Sequence, residues 1–166
     1  MRLRSNAEHV SLRSVVSADR ETLERLVAQG CATSRFAEVA TYALRMALED
    51  EANESQAIVA ERAGTVVGFG LFGQVAGTIG TARIHFMAVA LDERSRGIGS
   101  AICEATLARL AEQGARNVVA ELPDETAFVS GRALLERWGF APVARVADYY
   151  SDGVAMLIFE RVAAGT

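Results

Sequence analysis

The spacing of apolar residues along the chain predicts alternating strands and helices. A first strand falls within residues 9–16, where valine and leucine recur at short intervals. Ser17 is a predicted N-cap, and the apolar stripe that follows predicts a helix ending at Gly30. A second amphipathic helix is predicted from about Ser34 to Asp50, because apolar residues recur there at helical spacing.

The middle of the chain predicts three strands. Residues 57–60 and 65–72 flank the turn Arg62-Ala63-Gly64 and are typical of a hairpin. The glycine-dotted segment 73–80 then predicts a loop or a weak continuation of the second strand, and residues 81–91 predict the next strand. Regular alternation along this strand would place Arg83, His85, Met87 and Val89 on one face, and Ile84, Phe86 and Ala88 on the other. Apolar residues on both faces indicate a central strand covered on both sides.

The C-terminal part of the chain predicts two further helices and three strands. A helix runs from about Ile98 to Gln113, and a short strand over 117–121 follows it. A second helix ends at Trp138, and residues 140–150 and 154–161 then predict a closing hairpin. The predicted order is β-α-α-β-β-β-α-β-α-β-β, which indicates an α/β (α+β) fold with a mixed sheet and helices on both faces.

A loop with arginines and glycines joins the strand over 81–91 to the helix that follows it. We call this segment, residues 92–99, the basic loop; it contains Arg94-Ser95-Arg96-Gly97-Ile98-Gly99. The glycines let the backbone come close to a ligand, and the free amides at the helix start attract an anion. The arginines add charge-assisted hydrogen bonds. A dinucleotide fingerprint would need a third glycine near Ile102, and the Gly-Lys-Ser/Thr of nucleotide hydrolases is absent.

Composition narrows the class of protein. The 166 residues are 51% hydrophobic and 23% charged, which predicts one ordinary globular domain over residues 1–166. The net charge of −4 argues against a general nucleic-acid binder. Cys31 and Cys103 form neither a disulfide framework nor a metal-binding pattern, so no metal is predicted. Without a signal peptide or a membrane-spanning run, we expect a cytoplasmic protein with no membrane partner.

The order of elements and the basic loop resemble the GCN5-related N-acetyltransferase (GNAT) superfamily. The acyl-CoA motif of that family is Arg/Gln-x-x-Gly-x-Gly/Ala, and the segment from Arg94 to Gly99 follows it. Val89 and Asp92 match the residues that lead into the motif, whereas Leu91 and Glu93 stand where a proline and an aromatic are common. The resemblance implies a twisted, mostly antiparallel sheet of about seven strands.

The resemblance also implies a cofactor site for acetyl-CoA as co-substrate. Backbone groups of Met87, Ala88 and Val89 would pair with the pantetheine arm, and one of their amides would polarise the thioester carbonyl. The residues that would hold the pyrophosphate, or in the case of the arginines the 3′-phosphate, are Arg94, Ser95, Arg96, Gly97, Ile98, Gly99 and Ser100.

Two residues are candidates for the general base, and the general acid is open. Many relatives carry a catalytic glutamate at the position of Glu121, and the arylalkylamine acetyltransferases have a histidine at a position similar to that of His85. Many relatives also have a tyrosine acid four residues before the Gly-Phe pair, but Leu135 stands there. Tyr149 or Tyr150 would substitute for it, or the thiolate would leave unassisted.

Two functions follow from the resemblance. The first is an enzyme that transfers an acetyl group from acetyl-CoA to a primary amine of a small molecule or a peptide, by direct attack in a ternary complex. The second is a non-catalytic acyl-CoA-binding or sensing domain. Leu135 supports this alternative, because leucine cannot donate a proton. A homodimer is compatible with either function, and the sequence does not decide it.

Overall fold

The computed structural model describes residues 9–30, 36–49 and 55–163. Within them lies one seven-stranded sheet in the order β1-β2-β3-β4-β5-β7-β6. The strands are β1 (Val10–Ser14), β2 (Gln56–Arg62), β3 (Thr65–Gln74), β4 (Thr81–Val89), β5 (Asn117–Pro123), β6 (Ala141–Ser151) and β7 (Val154–Val162). The helices are α1 (Arg20–Gly30), α2 (Phe36–Glu49), α3 (Ile98–Glu112) and α4 (Val129–Arg137). The predicted order of elements is confirmed.

The start of α1 differs from the prediction. A short 3₁₀ turn over Ser17–Asp19 precedes the helix, and Ser17 makes no capping hydrogen bond. The Asp19 carboxylate instead accepts the Val16 N–H at 2.9 Å and pairs with Arg13 at 2.8 Å. Of the other predicted features, the helix ends at Ser34 and Asp50 and the side chain of Cys31 lie outside the described residues.

The central pairing of the sheet is short. Every strand pair is antiparallel except β4 with β5, which is parallel. That parallel pairing runs only from Thr81 opposite Asn117 to Ile84 opposite Ala120. Beyond these positions the two strands separate. We call this point of separation the fork; His85 of β4 and Glu121 of β5 are the first residues beyond the last pair.

A β-bulge in β4 overturns the regular alternation predicted for that strand. Leu71 of β3 lies opposite Phe86, while the next residue, Phe72, lies opposite Ile84. His85 is therefore an extra residue with no partner on β3, and the bulge changes which face later residues occupy. As a result Ile84 packs in the core cluster of α3, and Phe86 packs in the cluster of α1 and α2.

Two layers of helices cover the sheet. Helices α1 and α2 bury Leu23, Phe36 and Leu44 against one face, together with Phe69 and Phe86 of the sheet. Helices α3 and α4 cover the other face, where the fully buried side chains include Ile102 and Leu110. Among the described helices, none is both long and apolar enough to cross a membrane. Helices therefore cover both faces of the sheet, and the two faces connect at the fork, where β4 and β5 separate.

Candidate active site

A cavity of about 340 Å³ opens at the fork. His85 and Glu121 line it from the two separating strands. Its wall also includes the basic loop and the start of α3 on one side, and Phe36 and Phe128 on the other. The cavity therefore reaches from the α3 side of the sheet to the side that carries α1 and α2.

The basic loop presents backbone amides to this cavity. Ser95 and Gly97 have positive φ angles of 61° and 81°, which turn the chain sharply before α3 begins at Ile98. No side chain caps the helix at Gly97. The first N–H groups of a helix have no intrahelical acceptor, and the helix dipole favours an anion there. This backbone arrangement suits an anion, and the anion-binding role of the loop stays a prediction.

A buried carboxylate, which the sequence analysis treated only as a departure from the motif, supports the basic loop. Glu93 is 9% exposed and accepts a hydrogen bond from Arg62, at the end of β2. Its second oxygen lies 3.6 Å from the Nε of Arg96. Arg94 bends back instead and donates to the Val89 carbonyl at 3.2 Å. No local signal in the sequence pointed to the pairing of Glu93 with Arg62, which lies 31 residues away.

The last residues of β4 have a free edge. Met87, Ala88 and Val89 pair with Gly70, Phe69 and Gly68 of β3. On the opposite side, β5 pairs with β4 only as far as Ile84, so the edge of 85–89 has no strand partner in the described part of the chain. Unpaired backbone groups along a strand edge can bind an extended ligand as an added strand would.

The structure places nearly all predicted cofactor residues together. Those that line the cavity are Met87, Ala88, Val89, Arg94, Ser95, Gly97, Ile98, Gly99 and Ser100. Arg96 does not line it; its side chain is 54% exposed beside Glu93. The cofactor-binding roles of all these residues stay predictions, and Arg96 is the one that lies outside the cavity.

The candidate base Glu121 is part of an ion pair. Arg83 Nη2 lies 3.2 Å from Glu121 Oε1, and the two side chains are 39% and 25% exposed. The Nε of Arg83 is buried and has no hydrogen-bond partner among the described residues. No motif in the sequence assigns Arg83 to the site; the available signal was an arginine two residues before His85 on the same strand.

The second candidate base, His85, is a neutral imidazole at physiological pH. Burial, and next the positive charge of Arg83, lower the pKa of His85 to about 4. Its Nε2 is buried with no partner in the described structure. His85 can thus accept a hydrogen bond in the cavity, but it holds a proton weakly.

The two tyrosines lie behind the cavity wall. Tyr150 packs edge-on against Phe36, with ring centroids 5.8 Å apart, and Tyr149 packs edge-on against Tyr150 at 4.9 Å. Neither tyrosine lines the cavity. Burial raises the pKa of Tyr150, and the nearby Glu121 raises it further, so the phenol stays protonated. Leu135 is 5% exposed and contributes an apolar wall where many relatives place an acid.

Aromatic residues form the side of the cavity opposite the basic loop, which the sequence did not reveal. Phe36, at the start of α2, and Phe128 meet edge-on with centroids 5.5 Å apart. Near them, no three His, Cys, Asp or Glu side chains come close enough to hold a metal ion, and the same is true elsewhere in the described residues. The site therefore combines an anion-binding loop, a free strand edge and an ion pair in an apolar setting.

The mixed sheet and the basic loop at the start of α3 match the arrangement that the GNAT resemblance implies for an acyl-transferring protein. In agreement, the profile of the "Acetyltransferase (GNAT) family" matches residues 21–140. The chain belongs to this family and is an acetyltransferase. No curated protein matches the sequence significantly.

Solved structures share the fold at low sequence identity. A GNAT-family protein from Desulfovibrio desulfuricans is 22% identical, has a TM-score of 0.83, and is matched over 94% of this chain and 100% of that one. Ard1 from Thermoplasma volcanium is 24% identical with a TM-score of 0.76, over 94% and 99% of the two chains. A ribosomal-protein-alanine N-acetyltransferase from Brucella melitensis is 18% identical with a TM-score of 0.76, over 92% and 99%. These similarities concern the fold.

Proposed function

We propose that the protein transfers an acetyl group from acetyl-CoA to a primary amine, by direct attack within a ternary complex. The observation that carries this proposal is the cavity at the fork, where the basic loop and Glu121 line the same space. The loop supplies an anion site, and Glu121 supplies a carboxylate within reach of a bound amine. Family membership supports the acetyl group as the one transferred.

Acetyl-CoA fits the side of the cavity that carries the basic loop. The amides of Gly97 to Ser100 would bind the pyrophosphate at the start of α3. The free edge of Met87 to Val89 would then pair with the amides of the pantetheine arm, as an added strand does. Such pairing would place the thioester at the fork, where an N–H of this edge would bind its carbonyl oxygen.

The amine would reach the thioester from the face that carries α1 and α2. Glu121 would take the proton of the attacking nitrogen, because it lines the cavity and lies beside the last residues of β4. The neutral His85 would accept a hydrogen bond from the amine or from a bridging water. General-base assistance of this kind contributes about 10²–10⁴-fold.

The departing sulfur needs no protein acid. An ordinary thiol has a pKa of about 8.5, so its thiolate is a fair leaving group near neutral pH. Leu135 cannot donate a proton, and the tyrosines lie behind Phe36. We therefore propose that CoA leaves as the thiolate and is protonated by water.

Release of the CoA thiol in the presence of acetyl-CoA and a panel of amines tests the proposal. We expect turnover that requires an amine, with an acetyl mass added to that amine. Glu121→Gln should lower kcat by about 10²–10³-fold because the base is lost while the shape is kept.

Glu61→Gln is the matched control. Glu61 also pairs with an arginine, Arg13, at 3.0 Å, and it is similarly exposed at 28%, but it lies near the other edge of the sheet. This variant should keep kcat within about twofold. Tight acetyl-CoA binding without acetylation of any amine would overturn the proposed function and favour an acyl-CoA-binding role.

A further inference from the structure

The ion pair of Arg83 and Glu121 presents two opposite charges side by side at the fork. The two charged atoms are 3.2 Å apart; Glu121 lines the cavity, and Arg83 lies beside it, outside the cavity wall, with a side chain that is 39% exposed. A lone ammonium substrate would use Glu121 alone and would meet the positive charge of Arg83. A ligand that carries both an ammonium and a carboxylate would match the pair, with each charge against its opposite.

Arg83 has donors to spare for such a ligand. Its Nε is buried with no hydrogen-bond partner among the described residues, although a buried N–H usually has one. Only Nη2 approaches the Glu121 carboxylate in the ion pair. A guanidinium has five N–H donors, so the exposed part of the Arg83 side chain would be able to bind a second carboxylate beside Glu121.

Other charged side chains also lie at this end of β5. Further along β5, Asp124 is shared by Arg132 at 2.9 Å and Arg145 at 3.4 Å. Together with Arg83 and Glu121, these side chains carry three positive and two negative charges. With the neighbouring Glu125 the charges at this end of β5 balance, so the three arginines offset the carboxylates there although the whole chain has a net charge of −4.

We propose that the acceptor is a free α-amino acid, which binds with its carboxylate on Arg83 and its ammonium on Glu121. This inference rests on the proposed function. In an α-amino acid a single carbon joins the two charged groups, so both can reach adjacent partners at once. A peptide N-terminus has a neutral carbonyl in place of the carboxylate and leaves Arg83 without an anion.

The reaction balances with groups already named. Glu121 takes one ammonium proton, and the neutral nitrogen attacks the thioester carbonyl carbon. A C–N bond forms, the C–S bond breaks, and the sulfur leaves as the CoA thiolate. The product is an N-acetylamino acid, whose nitrogen loses its remaining extra proton to water or to the thiolate. The carboxylate stays on Arg83 throughout.

Matched pairs of acceptors test the inference: glycine, alanine and methionine, each against its carboxamide. A carboxamide has a less basic amine and reacts more readily without recognition, so a preference for the acid requires a binding site. We expect kcat/KM for at least one amino acid to exceed that for its amide by about tenfold or more.

Variants of Arg83 give the second readout. In Arg83→Gln the ratio of acid to amide should fall to about one or below, while the KM for acetyl-CoA stays unchanged; Arg83→Lys should retain part of the preference. The ratio is informative because any disturbance of Glu121 affects both acceptors of a pair. Arg13→Gln, which breaks an ion pair at the far edge, should keep the wild-type ratio.

The outcomes separate the inference from the proposed function. Equal or faster turnover of the amides by the wild-type enzyme would overturn the inference and leave the proposed function standing. The same holds if Arg83→Gln keeps the preference for acids. Failure to acetylate any amine would overturn both.

Discussion

At the residue scale, the charge of Arg83 affects both candidate bases at the fork, Glu121 and His85. Arg83 holds the Glu121 carboxylate at 3.2 Å and, together with burial, lowers the pKa of His85 to about 4. Glu121 is thus paired with a positive charge, while the neighbouring His85 stays neutral. This separation favours Glu121 as the proton acceptor, with His85 as a hydrogen-bonding neighbour.

The lowered pKa of His85 predicts a pH dependence of stability. An unfolded histidine binds its proton below a pH of about 6.5, whereas folded His85 does so only near 4. Between these values the unfolded state holds more protons, so the free energy of unfolding falls as the pH falls. The full effect amounts to at most about 3 kcal/mol, and it should be largely absent from His85→Gln.

Urea unfolding between pH 4 and pH 8 measures this dependence. The difference between wild type and His85→Gln should narrow or reverse in favour of the variant as the pH falls. His9→Gln, at an exposed position, is the control for loss of an imidazole and should follow the wild type. Parallel curves for wild type and His85→Gln would contradict the prediction.

At the scale of elements, the loop between β4 and α3 depends on one glycine in a left-handed conformation. Gly97 has a φ angle of +81°, and a Cβ added to it would have no neighbour within 4 Å. Gly114, just beyond the other end of α3, has the same φ angle and equally open surroundings. The two positions therefore have equal backbone requirements, but only Gly97 lines the cavity.

We therefore expect alanine substitutions at the two glycines to lower stability equally but to differ in their effect on acetyl-CoA binding. Gly97→Ala and Gly114→Ala should each cost about 1 kcal/mol of stability, because both force a side chain into a left-handed conformation. Only Gly97→Ala should weaken acetyl-CoA binding, by about tenfold, since its Cβ would enter the space of the anion. Calorimetric titration of both variants measures this. Equal affinities would argue against a pyrophosphate at this loop.

The sequence predicted elements better than it predicted contacts between them. Hydrophobic spacing located every strand and helix to within a few residues, because each pattern is local. Hydrophobic spacing did not predict the bulge at His85, because a bulge depends on how β4 pairs with β3. It did not predict the buried pairing of Glu93 with Arg62 or the ion pair of Arg83 with Glu121 either, because each joins residues far apart in the chain.

At the scale of the whole molecule, the fork joins two antiparallel parts of one sheet. Strands β1 to β4 form one part and β5 to β7 the other. In the described residues their backbones connect through the short pairing of 81–84 with 117–120 and through the Gly80 carbonyl, which accepts from the Arg116 and Asn117 N–H groups. A ligand along the free edge of β4 would supply pairing that the sheet lacks beyond this point. Binding and folding are coupled in such an arrangement, because the ligand binds the native state alone.

This coupling predicts a rise in Tm that depends on both halves of acetyl-CoA. At about 100 times its Kd, a ligand stabilises the native state by about 2.7 kcal/mol, which for a chain of this length raises Tm by about 5–10 °C. ADP carries the pyrophosphate without the pantetheine arm, so it would engage the basic loop and leave the edge of Met87 to Val89 free. At equal concentration it should therefore raise Tm by much less, and differential scanning fluorimetry with both ligands measures the gap. If ADP produced the full shift, the pantetheine arm would contribute nothing at the fork, and β4 would have no role in holding the donor.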